Sequence, residues 1–329
     1  LVQLKTYDET RLRSDGVNYL GGNLSYYQAC NGKRIILVSI LIMYSGVKDK
    51  LTLTTNEIHL WSVTPQTIQQ PELLQAYSQL LSPAETIKQQ RFRFEKDRHN
   101  ALITRAFVRD LLSHYADVLP ADWQFVKGEK DKPEIANPPL PLRFNISHTD
   151  NLIICAVMLN DDIGCDVENT LRSSNVLSIA KHSFSDSEFN DLLTQPTAQQ
   201  TSRFFDYWTL KESYIKAWGL GLSIPLKDFS FTLPEGFQQQ YQQEDQQENQ
   251  HCIDTIKLSF APHRIDNPNI WRHWLFYPNN THRVALAVRA RSNNQQTEYK
   301  MRFFNSTPLI NITETLIFKP ETNFKPDAK

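Results

Sequence analysis

Asp166 and Glu168 flank Val167 near the end of a strand-like stretch, and period-two geometry sends both carboxylates to one face with Val167 on the other. Side by side, two carboxylates repel unless a proton or a cation neutralises them. With oxygen ligands only and no histidine beside them, Mg2+ is the natural cation. The same D-x-E spacing also suits a solvated strand end carrying two surface acids. A second cluster is Trp208-Thr209-Leu210-Lys211-Glu212-Ser213-Tyr214-Ile215-Lys216. Helical spacing puts Trp208, Lys211, Glu212, Ile215 and Lys216 along one side. Glu212 and Lys216, at i and i+4, also fit an ordinary surface ion pair. Trp208 and the following Gly219-Leu220-Gly221-Leu222 imply instead a buried helix end, with Gly219 as its C-terminal cap rather than part of a phosphate loop.

Phe144-Asn145-Ile146-Ser147-His148-Thr149 reads as a strand that ends on a serine and a histidine. Adjacent strand residues point to opposite faces, so Ser147 and His148 are not a nucleophile with its base. The chain has no G-x-S-x-G elbow either. His148 fits better as a donor to phosphate than as a general base. The cations Lys88, Arg91, Arg93, Lys96, Arg98 and Arg105 fall within two helical segments. Glu95 and Asp97 are interspersed, as on an ordinary solvated face. Lys132, before Pro133 in a turn, is a further candidate phosphate contact.

These residues need elements to hold them. Residues 57–63 alternate polar and apolar and predict a half-buried strand. A helical stretch follows, and Ser82-Pro83-Ala84-Glu85 is a capping box with proline at the first helical position. Two helical segments then run over about 83–115, with Leu102, Ala106, Val108, Leu111 and Leu112 as an apolar stripe. Pro133, Pro138, Pro139 and Pro141 mark an irregular connection, followed by three short strands around 142–146, 152–158 and 162–168. Ser185-Asp186-Ser187-Glu188 is a second capping box, before a long helix over roughly 199–218. Apolar alternation returns around 229–231, 256–260 and 284–288. The ordering predicts an α+β protein of two similar lobes, each a small antiparallel sheet packed with helices. The expected division is 55–160 for the N-terminal lobe and 161–290 for the C-terminal lobe that carries the acidic motifs. Residues 238–250, rich in glutamine, read as a solvated loop, and the pattern does not place the tail 291–329.

Lysine plus arginine total 35 against 36 acidic residues, a balance that excludes a surface built as a nucleic-acid footprint and leaves room for a local basic pocket. Cys30, Cys155, Cys165 and Cys252 form no C-x-x-C pair and have no histidine at zinc spacing, so they read as reduced, packed thiols of a cytoplasmic protein. The apolar run 35–43 is too short to span a bilayer, which needs about 20 apolar residues. Its flanks resemble those of a signal peptide, but a long polar and charged stretch precedes it. Residues 1–42 are therefore expected to be an extension outside the folded unit, with no membrane partner.

Taken together, Phe144-Asn145-x-Ser147-His148, Gly164-x-Asp166-x-Glu168 and Trp208-x-x-Lys211-Glu212-x-x-x-Lys216 resemble, in order and spacing, the Sfp-type 4′-phosphopantetheinyl transferases of the holo-acyl-carrier-protein synthase superfamily. The resemblance covers roughly residues 56–288. It implies a pseudo-twofold monomer of two α+β lobes with coenzyme A bound in the cleft between them. It implies that Asp166, Glu168 and Glu212 hold Mg2+ on the coenzyme A pyrophosphate, and that Glu212 or a metal-bound water takes the proton of a carrier-protein serine. Lys216 would steady the pyrophosphate as adenosine 3′,5′-bisphosphate leaves, and Ser147 and His148 would line the coenzyme A site. Lys88 with Arg91 resembles the family's basic pair for the adenosine 3′-phosphate. Lys132 is kept from the family's Gly-Lys-Pro, here Asp131-Lys132-Pro133, and Cys165 reads as packing. The implied partners are acyl or peptidyl carrier domains of fatty acid, polyunsaturated fatty acid, polyketide or nonribosomal peptide synthases. Two rivals share part of the pattern: a Mg2+-dependent phosphohydrolase of nucleotide diphosphates, and a non-catalytic module that binds carrier domains.

Overall fold

The computed structural model describes residues 50–128, 132–172, 175–219, 223–234, 252–291, 298–318 and 320. Residues 1–42 and the run 35–43, Cys30, Asp131, Leu220-Gly221-Leu222 and the glutamine-rich segment 238–250 lie outside the described residues. The chain opens with β1 (Glu57–Val63), α1 (Pro71–Leu80), α2 (Pro83–Gln90) and α3 (Glu95–Leu112). The short strands β2 (Phe125–Lys127) and β3 (Pro133–Ile135) precede β4 (Leu142–Thr149), β5 (Leu152–Leu159) and β6 (Asp162–Asn169). Next come α4 (Val176–Ser183), α5 (Asp186–Thr194) and α6 (Thr197–Trp218). β7 (Phe229–Thr232), β8 (Cys252–Ile253), β9 (Lys257–Phe260), β10 (Trp271–Asn279), β11 (His282–Arg289), β12 (Lys300–Thr307) and β13 (Asn311–Thr315) complete the chain.

The α+β class is as the pattern predicts. Among the described residues the two larger sheets have five strands in the order β13-β12-β1-β5-β4 and four in the order β6-β11-β10-β8, and β2-β3 and β7-β9 form two-stranded sheets. Both capping boxes form: the Ser82 and Ser185 hydroxyls accept from the Glu85 and Glu188 amides, and each glutamate carboxylate accepts from its serine's amide. The chain crosses between sheets in the tight connection after β5, where Asn160 adopts φ 65°, a left-handed conformation that asparagine tolerates. Ile58, Leu60, Ile154 and Ala156 of the first sheet meet Ile163, Cys165, Val167, Val284 and Leu286 of the second in one apolar layer. α6 covers the opposite face of the second sheet, where Leu210, Tyr214 and Ala217 pack with Leu275, Ala285 and Ala287.

Three features depart from the sequence pattern. β1 is not half-buried: every residue from Ile58 to Val63 is buried. Ile58 and Leu60 enter the layer between sheets, while His59 Nδ1 and Trp61 Nε1 lie 2.8 and 2.7 Å from the Tyr115 hydroxyl beyond α3. Lys211 does not share the Glu212 side of its helix. Its ammonium is fully buried, 2.8 Å from Glu188, and donates to the Leu226 and Phe229 carbonyls. Lys211 therefore ties α6 to α5 and β7, with the capping-box glutamate as its counterion. The tail, finally, supplies β12 and β13. β12 joins β1 in parallel, the one parallel pairing among the described strands. Arg291 and Tyr299 anchor its start on Asp162 and Asp161 in the crossing between sheets.

The three described cysteines are free thiols, and burial pushes Cys165 up to about 12, in keeping with a packing role. Among the described residues no helix is long and apolar enough to cross a membrane.

Candidate active site

The ends of β4 and β6 and the C-terminal half of α6 meet at one place. β6 alternates as a strand between two layers must: Ile163, Cys165 and Val167 enter the apolar layer between sheets, and Gly164, Asp166 and Glu168 face α6. Gly164 is required by how closely the helix approaches. A Cβ there would run into the Ser213 carbonyl oxygen and the Ala217 amide nitrogen, both backbone atoms of α6. Those contacts sit next to Glu212 and Lys216, so the glycine sets how near the helix brings its two charged side chains to the strand. α6 ends where Gly219 takes φ 75° and returns its amide to the Ile215 carbonyl, the cap that the sequence predicts.

β4 reaches across from the other sheet with alternate side chains. The Asn145 amide oxygen accepts from the Cys165 amide at 2.8 Å, and the Cys165 thiol donates to the Asn145 carbonyl at 3.1 Å. Two residues on, the Ser147 hydroxyl donates to Asp166 Oδ1 at 2.8 Å and accepts from the Val167 amide at 3.3 Å. His148 is exposed on the other side of the strand, as period two demands. Desolvation first, then the positive charges of Lys216 and Arg105, hold its imidazole below the usual histidine range.

Lys216 closes the cluster. Its ammonium donates to Asp166 Oδ1 at 2.6 Å and to Ser147 Oγ at 2.8 Å. Burial is the largest single influence and works against that charge, but Asp166, Cys165 and Glu212 together outweigh it and the lysine pKa is raised. Asp166 Oδ2 is buried with no hydrogen-bond partner among the described residues. Glu168 accepts from Trp208 Nε1 on one oxygen and from Arg172 on the other, both at 3.1 Å. Burial, then Asp166, raises the Glu168 pKa. Glu212 is pushed up to about 7 by burial first, then by Asp166, with Lys216 opposing and Glu168 adding to the rise.

Among the described residues no three carboxylate, histidine or cysteine side chains are drawn together tightly enough to hold a metal ion as they stand. The donor set nonetheless fits a hard divalent cation: one orphaned buried carboxylate oxygen, and two glutamates whose charge is disfavoured until a cation offsets it.

The remaining sequence candidates lie outside this bonded network. Lys132 donates to the Lys216 carbonyl at 2.7 Å and the Ile163 carbonyl at 3.3 Å, pinning the last turn of α6 to the start of β6. Burial, then Arg143, lowers its pKa to about 8. Lys88 and Arg91 are exposed at the C-terminal end of α2. Sequence reasoning missed three contributors: Asn145 as a strap between sheets, and Trp208 and Arg172 as the donors that fix Glu168. Asn145 was readable, since it lies two residues before Ser147 and shares its face. Arg172 on Glu168 rests on the path of the chain after β6, which leaves no periodic trace.

Comparison with known proteins places two regions of the chain in one family. Residues 162–287 match the family model described as 4′-phosphopantetheinyl transferase superfamily. Residues 67–160 match the model for the 4′-phosphopantetheinyl transferase N-terminal region. The chain is 36% identical over 176 residues to the 4′-phosphopantetheinyl transferase HetI of a Nostoc species, covering 53% of this chain and 73% of that protein. It is 39% identical over 158 residues to the 4′-phosphopantetheinyl transferase Sfp of Bacillus subtilis, covering 48% of this chain and 68% of that protein. It is 31% identical over 167 residues to a phosphopantetheinyl transferase of a Thraustochytrium species, covering 47% of this chain and 58% of that protein. With its acidic strand, lysine-bearing helix and both family regions in order, the chain belongs to the 4′-phosphopantetheinyl transferase superfamily and, within it, to the Sfp type.

Proposed function

We propose that Asp166, Glu168 and Glu212 hold Mg2+ in the cleft where β4, β6 and α6 meet, and that this cleft moves the phosphopantetheine arm of coenzyme A onto a carrier-protein serine. The observation that carries the reading is the divided carboxyl of Asp166. Lys216 and Ser147 saturate Oδ1, while Oδ2 is buried and unpartnered beside two glutamates whose charge is disfavoured. When bound there, the metal would neutralise the pyrophosphate and offset the carboxylates.

The chain's own groups account for the rest. The serine oxygen forms a bond to the phosphorus that bears the pantetheine arm, and the pyrophosphate P–O bond breaks. Adenosine 3′,5′-bisphosphate leaves, and the serine proton passes to Glu212. Such transfers depend mostly on position and charge neutralisation. Lys216 has three N–H donors and commits two to Asp166 and Ser147, so one is left for a phosphate oxygen. Lys132 likewise has one donor beyond its two carbonyls. His148, exposed on the other side of β4, is assigned to a phosphate contact. Lys88 and Arg91 are assigned to the adenosine 3′-phosphate, and Ser147 lines the same pocket.

The proposed division keeps 55–160 and 161–290 as the two lobes, with the strands of 291–329 added to the first. The proposed setting is a cytoplasmic monomer that serves fatty acid, polyunsaturated fatty acid, polyketide or nonribosomal peptide synthases. Intact mass of an apo acyl carrier protein, incubated with the protein, coenzyme A and Mg2+, tests the reading. A gain of one phosphopantetheine, abolished by EDTA and by Asp166→Ala, is expected. Transfer that persists in EDTA refutes the metal assignment, and failure to bind coenzyme A refutes the reading as a whole.

A further inference from the structure

We propose that Asn145 is a positioning residue for Asp166, acting through the backbone of β6 rather than on the reactants. The inference rests on the reading that Asp166 holds a metal ion. β6 is the outer strand of its four-stranded sheet, with β11 on one side and no ladder partner on the other among the described strands. Alternate residues of an antiparallel strand turn their N–H and C=O groups to the same edge, so the amides of Cys165 and Val167 share the free edge of β6. Both residues are buried, and a buried amide without an acceptor is costly. Side chains stand in for the missing strand. Asn145 Oδ1 accepts from the Cys165 amide at 2.8 Å, Ser147 Oγ accepts from the Val167 amide at 3.3 Å, and Lys132 Nζ donates to the Ile163 carbonyl at 3.3 Å.

Asp166 lies between the two tethered amides, with its carboxylate turned toward α6. The tethers differ in what else they do. Ser147 Oγ is shared with Asp166 and Lys216, and its tether is the longer one. The Asn145 tether is shorter and is doubled, because the Cys165 thiol donates back to the Asn145 carbonyl at 3.1 Å. Asn145 therefore fixes the β6 backbone at the residue before Asp166, next to Gly164, where the α6 backbone leaves no room for a Cβ. Without that acceptor the Cys165 amide must find water or another partner, and the strand shifts at this point. Asp166 and Glu168 then move relative to Glu212 and Lys216, which a different element carries. Removing a group that orients a metal ligand costs roughly 10–100-fold in metal affinity.

The test is calorimetric titration of coenzyme A into the whole protein, in EDTA and over a range of Mg2+ concentrations, beside urea unfolding of each variant. Asn145→Leu keeps the volume and removes the acceptor. It is expected to raise the Mg2+ midpoint by about tenfold or more, with affinity in EDTA within about twofold of wild type. Asn145→Asp keeps an acceptor oxygen in the same place and is expected not to raise that midpoint. Cys165→Ala removes only the thiol's bond and keeps the amide tether, so it is expected to lower the urea midpoint and leave the Mg2+ midpoint alone. Should Asn145→Leu not fold, Asn145→Ser is the milder change, because its oxygen is one bond short of the amide; a raised Mg2+ midpoint is expected there too. A lower urea midpoint with the wild-type Mg2+ midpoint means that Asn145 serves the fold alone, which overturns the proposal and leaves the metal reading intact. An equal rise in Cys165→Ala, or an equal loss of coenzyme A affinity in EDTA, overturns it as well. A wild-type protein that binds coenzyme A with no response to Mg2+ overturns both.

Discussion

Gly164→Ala is the substitution through which the strand–helix contact can be judged. The added Cβ would lie 3.0 Å from Ala217 Cα and nearer still to the Ala217 nitrogen and the Ser213 carbonyl oxygen. Comfortable carbon–carbon separation is about 3.5–4.0 Å, so a gap of about 0.5–1 Å must open at the Cα alone. All three atoms belong to the backbone of a helix, so none can give way by itself and α6 has to move as a body. Glu212 and Lys216 are the immediate neighbours of the residues struck, and they move with it. Overpacking of this kind costs about 1–3 kcal/mol of stability, and a misplacement of about 1 Å at catalytic groups costs about 10²-fold in rate. The expected result is a turnover near one hundredth of wild type by intact-mass assay, in a protein that still unfolds cooperatively in urea at a somewhat lower midpoint. Ala217→Gly is expected not to rescue it, because the collision is with backbone. Near-normal turnover with an unchanged midpoint would refute the reasoning, and so would rescue by Ala217→Gly.

Two adjacent residues of α6 should fail in opposite ways. Glu212→Gln is expected to lose about 10²–10⁴ in turnover with stability kept or slightly raised, since it removes a disfavoured carboxylate; a stable variant with normal turnover contradicts the assignment. Lys211→Met leaves Glu188 buried and unpaired, which costs about 3–5 kcal/mol and should show as a much lower urea midpoint; a midpoint within error of wild type contradicts the pairing. Acid should weaken the fold through its buried histidines. Burial, with Arg272, holds His273 down to about 3, and burial outweighs Glu57 to hold His59 down to about 4. Below about pH 6.5 the unfolded chain takes up protons that these native histidines do not, so their contribution is complete above that pH. It is lost as pH falls toward their native values, at up to about 1.4 kcal/mol per unit for each histidine. Urea unfolding between pH 7 and 5 should show this slope, reduced in His273→Phe, and a flat profile rules the effect out.

The strands that are hardest to find from the pattern are those buried on both faces. β10, Trp271-Arg272-His273-Trp274-Leu275-Phe276-Tyr277, is apolar or aromatic on each side because one face meets the layer between sheets and the other meets α6. β6 and β11 are buried on both faces as well, but their α6 side carries the small or polar Gly164, Asp166, Ala285 and Ala287, which keep the alternation readable, whereas β10 has bulky residues on both sides. β1 shows the converse error: its alternation predicts one wet face, yet His59 on that face is buried with a partner from beyond α3, and Ser62, on the opposite face, is buried with a partner from β12. β12 and β13 left no readable period, and their place depends on a parallel partner more than 200 residues earlier in the chain.

What the sequence by itself determined is what a few neighbouring residues decide. The two capping boxes, the Gly219 cap, the common face of Asp166 and Glu168 and the opposite faces of Ser147 and His148 all follow from local backbone geometry, and each is found as expected. The motifs carried the family for the same reason, since type and spacing are local. Tertiary structure decided which way each charge is used. Lys211 and Glu212 are adjacent, yet one is consumed in the core by Glu188 and the other is left half-buried near Asp166, Lys216 and Glu168. Trp208 and Arg172 take the two oxygens of Glu168, and Ser147 and Lys216 take one oxygen of Asp166. Helical spacing gives a side chain's direction only to within a face. Burial and partners from distant strands, which set its charge and its free hydrogen-bonding capacity, exist only once the two sheets and α6 have packed.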